Sequence, residues 1–172
     1  FALPIPILLF FAYLTCLPAI ADGQVLCKTI PWVKALEINF SIRLDGLSML
    51  FALLITFIGS LVLFYSIFYL DKKERLYSFY LYLFVFMGAM LGVVTSDNLI
   101  LLYMFWELTS ISSFLLIGFW FEKERSRYGA QKALLITVAG GLCLLTAFLL
   151  IGSLCGTFQI TKILENSSFL TD

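Results

Sequence analysis

Apolar and polar residues alternate along this chain in long blocks. The apolar blocks cover residues 1–20, 47–70, 77–95, 98–120 and 131–154. At about 1.5 Å rise per residue, a helix of roughly 20 residues crosses the ~30 Å hydrocarbon core of a bilayer. The pattern therefore predicts an all-α, polytopic membrane protein with about five transmembrane helices.

The polar blocks divide the chain into four parts. Residues 1–20 are predicted to be a first transmembrane helix, 21–46 an extracytoplasmic loop, 47–155 a four-helix membrane domain, and 156–172 an incomplete extracytoplasmic segment with a short amphipathic turn. A signal peptide is the alternative for the first part, because Ala19-Ile20-Ala21 has the form of a cleavage site, although no Lys or Arg precedes the apolar stretch. The chain starts at Phe1, without a methionine, and we expect it to be a piece of a longer protein.

Composition supports the membrane class and excludes several functions. Hydrophobic residues make up 62% of the 172, charged residues 13%, and the mean hydropathy is +1.02. The net charge is zero, which gives no argument for nucleic acid as a partner. The chain has no histidine, its four cysteines form no Cys-x-x-Cys pair, and it has no phosphate-binding loop. We therefore predict no cofactor and no metal.

Some residues between the helices have predicted structural roles. The alternating patch at 36–42 favours a short strand at the membrane surface. Asp45 is placed to cap the second helix, an interpretation we prefer to ion binding. Gly88 and Gly92, four residues apart, predict a small-residue groove for close helix packing in the third helix.

The basic residues predict an orientation, since cytoplasmic loops carry an excess of Lys and Arg. One side of the membrane receives seven of them on short connections: Lys72, Lys73, Arg75, Lys123, Arg125, Arg127 and Lys132. The other side receives four on longer loops: Lys28, Lys34, Arg43 and Lys162. The first side is therefore predicted to be cytoplasmic, together with the start of the chain.

Glu107 interrupts the fourth apolar block near its middle. A charge at the bilayer midplane costs on the order of 3 kcal/mol, which the surrounding apolar residues offset. A glutamate at that depth either pairs with a cation or carries a proton part of the time, and both are useful in ion translocation. Tyr103 and Ser110 share its helix face, so we predict that they line a proton path. The alternative is that Glu107 only makes an interhelical hydrogen bond.

Several motifs in this region resemble the A-type subunit of the multisubunit Mrp-type sodium/proton antiporter family. They are Leu44 to Ser48, Phe86 to Asn98, Phe105 to Ser110, Ser113 to Ile117, Gly129 to Leu134, and Ile136-Thr137. The largest antiporter-like subunit of respiratory complex I is a relative. The resemblance covers nearly the whole chain and is weakest before about residue 36 and after 156.

The resemblance implies a truncated antiporter-like bundle and roles for two residues. In that family, the helix with Trp-Glu supplies an essential carboxylate, which corresponds to Glu107 and works with a lysine on a later, broken helix. The lysine at the start of the following helix corresponds to Lys132, for which snorkelling to the interface is the simpler interpretation and a relay role the sharper one. The family's first helix, broken helix and second inverted repeat are absent from these 172 residues.

The function implied is coupling of proton movement to efflux of sodium or another monovalent cation, in a complex with other subunits in the cell membrane. Two further hypotheses remain open at this point. One is a proton-translocating subunit of a quinone-linked or hydrogenase-type redox complex, and the other is a structural membrane scaffold.

Overall fold

The computed structural model describes residues 4–33, 38–70 and 75–165. Its elements in chain order are α1 (Pro4–Ala21), β1 (Leu26–Val33), β2 (Ile38–Leu44), α2 (Gly46–Tyr69), α3 (Leu76–Thr95), α4 (Leu99–Ile117), α5 (Glu124–Cys155) and α6 (Ile160–Glu165). Within the described residues, α1 to α5 are long and apolar enough to cross a membrane, which confirms the predicted all-α membrane fold. Of the charged corner between the second and third helices, residues 71–74 lie outside the described residues.

The five long helices pack in sequence order, each against the next: α1 on α2, α2 on α3, α3 on α4, and α4 on α5. Glycines allow two of these contacts to be close. Met87 fills the space beside Gly59, and the ring of Phe105 fills the space beside Gly92. Gly88 does not share this role, because it is exposed and a Cβ there would meet no described atom within 4 Å. Of the two predicted groove glycines, Gly92 alone makes a close helix contact within the described residues.

Two helix boundaries differ from the sequence prediction. The fourth helix ends at Ile117 rather than at residue 120, because the backbone leaves the helical conformation at Gly118, with φ of −80° and ψ of 10°, and the chain then makes tight turns. The fifth helix begins at Glu124, seven residues before the predicted start at 131. The polar residues there include strong helix formers, and the glutamate in the first turn suits the positive end of the helix dipole.

The loop before α2 forms an antiparallel hairpin of β1 and β2. The predicted patch at 36–42 overlaps β2, whereas its first two residues lie outside the described part of the chain and β1 was not predicted. Asp45 caps α2 as predicted, since its carboxylate accepts the backbone N–H of Ser48 while its own backbone N–H donates to the Ser48 hydroxyl. Asn98 caps α4 by accepting the N–H groups of Ile100 and Leu101.

The chain after α5 returns to the same end of the bundle as the hairpin. Gly156 ends α5 in the left-handed conformation, with φ of 66°. The short α6 then follows, in agreement with the predicted amphipathic turn, and its Ile163 is buried. No transmembrane helix was predicted in this segment. Its residues 166–172 lie outside the described part of the chain.

Candidate functional site

Glu107 is the ninth of the 19 residues of α4, so its side chain leaves the helix near the middle of the span. The residue is partly buried, and its Oε1 atom is fully buried. Oε1 has no hydrogen-bond partner within the described residues. It lies directly against Gly141 of α5, in the space that a Cβ on that glycine would occupy. The carboxyl group is therefore held between α4 and α5.

The hydroxyls around Glu107 divide into two groups. The Tyr103 side chain, one turn earlier on α4, interacts with the Glu107 carboxyl group. Ser110 is buried, and its hydroxyl donates to the carbonyl of Trp106 on its own helix at 3.3 Å. The hydroxyls of Thr109 and Ser112 also donate to carbonyls of α4, which is usual for hydroxyl side chains inside a helix. Of the two predicted path residues, the structure brings Tyr103 to Glu107 and turns Ser110 to the backbone.

An open groove of about 510 Å³ lies next to this site, also between α4 and α5. Its lining includes Trp106, Ser110 and Ser113 from α4 and Thr137 from α5. Glu107 does not line this groove. The carboxyl group and the groove therefore occupy different parts of the contact between the two helices.

Lys132 lies far from the carboxyl group. It is exposed in the third turn of α5, and it takes part in no ion pair within the described residues. It precedes Gly141 by nine residues, which is about 14 Å along a helix. The helix begins at Glu124, before its apolar stretch. Lys132 therefore lies inside α5, at the edge of the part that is apolar enough to span the membrane. The structure therefore does not bring Lys132 and Glu107 together.

A second polar cluster joins the hairpin, the α3–α4 turn and α6, and the sequence did not reveal it. Asp97 is its centre, with only 4% of its surface exposed. Its carboxylate accepts the hydroxyl of Thr161 at 2.7 Å, the N–H of Thr161 at 3.1 Å, and the side-chain amide of Gln159 at 3.1 Å. Arg43 donates to the same hydroxyl at 3.0 Å and forms an ion pair with Asp45 at 3.5 Å.

We call this second polar cluster the outer cluster. Asp45, at its edge, has a shifted pKa. The pKa of Asp45 is lowered, chiefly by the hydrogen bond from the Ser48 backbone N–H and further by the Ser48 hydroxyl and the Arg43 charge. The cluster involves residues more than 60 positions apart, namely Asp97 and Thr161. The only sequence signal was a turn at Ser96-Asp97-Asn98, which does not specify a distant partner.

Two family models match the chain. Residues 96–171 match a family described as NADH:quinone oxidoreductase/Mrp antiporter, transmembrane. Residues 30–80 match one described as NADH-ubiquinone oxidoreductase (complex I), chain 5 N-terminus. Together they cover the hairpin from residue 30 onward, α2, the start of α3, and residues 96–171 from the α3–α4 turn. Each match covers less than half of the chain, and both show similarity to the family of antiporter-like membrane subunits that these two systems share.

Curated relatives indicate which subunit type the chain resembles. The A-type subunit of the Na⁺/H⁺ antiporter of Alkalihalophilus pseudofirmus is 57% identical over 99% of this chain. The A1-type subunit of Staphylococcus haemolyticus is 56% identical over 98% of it. In both cases the match covers 21% of the relative, so the chain spans about a fifth of these proteins. Within the family, the chain resembles the A-type subunit of the Mrp-type antiporter.

Solved structures agree with this assignment. The Mrp complex of a Dietzia species matches with a TM-score of 0.87 and 32% identity, over 99% of this chain and 18% of the matched chain. An archaeal respiratory complex, the membrane-bound sulfane sulfur reductase, matches with a TM-score of 0.73 and 18% identity, over 89% of this chain and 23% of its own. The second match shows a common fold only.

Proposed function

We propose that the chain is part of a membrane subunit of a multisubunit cation/proton antiporter, in which Glu107 carries the proton. The observation that supports this role most directly is the buried Oε1 atom, which has no hydrogen-bond partner within the described residues. A charged carboxylate with a buried oxygen that accepts no hydrogen bond is costly in an apolar environment, whereas a protonated or ion-paired carboxyl group is much less so. Glu107 is therefore placed to change its protonation when a cationic partner approaches or leaves.

The proposed cycle has two states of Glu107. In one state the carboxyl group is protonated and lies between α4 and α5. In the other it is charged and pairs with the lysine that the family resemblance assigns to a later helix, outside this chain. Tyr103, which already interacts with the carboxyl group, lines the path next to it. Ser110 follows one turn later on the same helix and can join the path only if its hydroxyl leaves the Trp106 carbonyl.

Coupling to a second ion is proposed from the relatives. Their names describe Na⁺/H⁺ antiporter subunits, and the solved neighbour is an Mrp complex. We propose that proton movement through Glu107 drives efflux of sodium or another monovalent cation, in a complex with other antiporter subunits in the cell membrane. Lys132 lies at the predicted cytoplasmic edge, where it would act as a relay or as an interfacial anchor.

The test is ion-driven dissipation of a pH gradient in everted vesicles that contain the full-length subunit in its complex. Wild type and Glu107→Gln are compared while sodium and potassium are titrated. Glutamine has the size of glutamate and cannot carry the proton, so we expect cation-dependent dissipation to be lost in this variant. The cation that drives dissipation of the pH gradient in wild type is the transported ion.

A matched control is Glu122→Gln, because Glu122 is an exposed carboxylate in the turn between α4 and α5. This variant is expected to keep full activity, and native electrophoresis of both variants checks assembly of the complex. Unchanged antiport in an assembled Glu107→Gln complex would contradict the proposal and favour a structural scaffold, in which Glu107 only packs.

A redox-linked proton pump is the second candidate function, favoured by the oxidoreductase names of both family models. It predicts that vesicles acidify on addition of an electron donor, with no response to sodium or potassium. It also predicts that the full-length subunit purifies with flavin or iron–sulfur proteins. Cation-dependent dissipation without any redox response would exclude it.

A further inference from the structure

Gly141 lies at the centre of α5, and the Glu107 carboxyl group covers it. Gly141 is buried, and a Cβ built there would overlap Glu107 Oε1 and lie 3.1 Å from Glu107 Cδ. The neighbouring Gly140 is exposed, and a Cβ there would meet no described atom within 4 Å. The two adjacent glycines therefore differ completely in what a methyl group would encounter.

This contact differs in kind from the other close glycine contacts in the described part of the chain. Beside Gly59, Gly92 and Gly152, the space of the missing Cβ is taken by an apolar side chain, from Met87, Phe105 and Phe158 respectively. Such contacts are explained by helix and loop packing alone. At Gly141 the occupant is the only acidic residue between Asp97 and Glu122, and its Oε1 gains no hydrogen bond there. Packing energy alone therefore does not account for the position of this carboxyl group.

We propose that Gly141 is the positioning residue for Glu107, because its missing side chain creates the seat in which the carboxyl group rests between α4 and α5. The inference rests on the proposed function for its effect on transport, but the seat itself is a matter of geometry. Protein interiors are too densely packed to absorb an added methyl group at this point. A side chain at position 141 must either displace the carboxyl group or separate the two helices.

The first experiment compares Gly141→Ala with Gly140→Ala in the full-length complex. Both changes replace a helical glycine by alanine and raise helix propensity equally, so stiffening of α5 is matched. A displacement of a reacting group by about 1 Å can cost on the order of 100-fold in rate. We expect Gly141→Ala to lower cation-dependent dissipation at least about tenfold, since the displacement is of that order, while Gly140→Ala keeps the wild-type rate. Equal rates in the two variants would contradict the inference.

A rescue experiment separates positioning from general damage. Aspartate is one C–C bond, about 1.5 Å, shorter than glutamate, so it leaves room for the methyl group. We expect the double variant Gly141→Ala with Glu107→Asp to be more active than Gly141→Ala alone. A double variant that is less active than either single variant would mean that Gly141 acts through helix packing and not through the carboxyl group.

A chemical readout tests the seat without transport. Dicyclohexylcarbodiimide reacts with protonated carboxyl groups inside membranes, and mass spectrometry of the segment between Asp97 and Glu122 reports on Glu107 alone. In the assembled complex we expect labelling to be several-fold faster in Gly141→Ala than in wild type, and unchanged in Gly140→Ala. Unchanged labelling in Gly141→Ala overturns the seat. A labelling increase together with intact antiport in Glu107→Gln keeps the seat and overturns only the proposed function.

Discussion

Removing the Asp97 carboxylate should loosen the chain after α5 from the rest of the bundle. In the structure this carboxylate accepts three hydrogen bonds from Gln159 and Thr161, and it is almost fully buried. Asp97→Ala leaves all three donors without their acceptor. Two backbone hydrogen bonds remain, from the N–H of Leu99 to the Phe158 carbonyl and from Ile160 to the Asp97 carbonyl. We therefore expect local opening, not loss of the fold.

The magnitude follows from the geometry. A hydrogen bond to a charged group contributes about 1.5–3 kcal/mol. The Gln159 side chain can turn towards water, whereas the backbone N–H of Thr161 is fixed in α6 and cannot. We therefore count one or two lost bonds, about 3 kcal/mol in all. Since about 1.4 kcal/mol is a factor of ten, the amides of this segment should exchange their hydrogens about 100-fold faster.

Hydrogen–deuterium exchange with mass spectrometry on the purified full-length complex measures this effect. The peptide that covers residues 157–165 should exchange faster in Asp97→Ala. It should exchange at an intermediate rate in Asp97→Asn, which keeps one acceptor oxygen. Glu165→Ala removes an exposed carboxylate from the same segment and should have no effect. An unchanged rate for this peptide in Asp97→Ala would refute the claim that the carboxylate holds α6 in place.

Two further predictions concern the caps and the glycines. Asp45→Ala should destabilise the start of α2 by about 0.5–2 kcal/mol. Because the folded pKa of Asp45 is lowered, its stabilisation is present at neutral pH and is lost as the pH falls through that pKa, so Asp45→Asn should remove this acid sensitivity in amide exchange of the first turn. Gly92→Ala should lower the unfolding free energy by about 1–3 kcal/mol because it overlaps the Phe105 ring, whereas Gly88→Ala should not. Thermal unfolding of the purified protein compares the last two variants, and equal midpoints would contradict the role of Gly92.

The fold was largely predictable because the bilayer imposes one dominant pattern. Five apolar blocks give five helices, and local signals such as the Asp45 cap act within four residues. The errors are helix ends, which the apolar pattern does not determine. Residues 124–130 are polar and were predicted to precede the helix, but polarity does not prevent a helix from extending past the membrane surface. Likewise, Gly118 ends α4 inside an apolar stretch that the pattern would continue to residue 120.

The candidate site was predictable only in part, for a physical reason. A carboxylate in the middle of an apolar helix can be recognised from the sequence alone, and it predicts Glu107 as the candidate ionisable residue. Its contact with Gly141 and the contact of Asp97 with Thr161 depend on which helix faces join, and spacing within one helix does not contain that information. The same reason applies to Gly88 and Ser110, whose predicted roles follow from spacing along one helix. Within the described residues, a Cβ on Gly88 would meet no atom within 4 Å, and the Ser110 hydroxyl donates to the Trp106 carbonyl.

The outer cluster bears on the geometry of the Glu107 site. The connection between α4 and α5 is short, six residues, so these helices are tied together at that end. At the other end, Asp97 precedes α4 and binds Thr161, which follows α5. The two helices are thus joined at both ends, which limits sliding of one along the other. Glu107 can rest on Gly141 only if this register is kept, because a slide of α5 by even the rise of one residue, about 1.5 Å, would move the space beside the glycine away from the carboxyl group. The outer cluster therefore helps to keep the Glu107 carboxyl group in contact with Gly141.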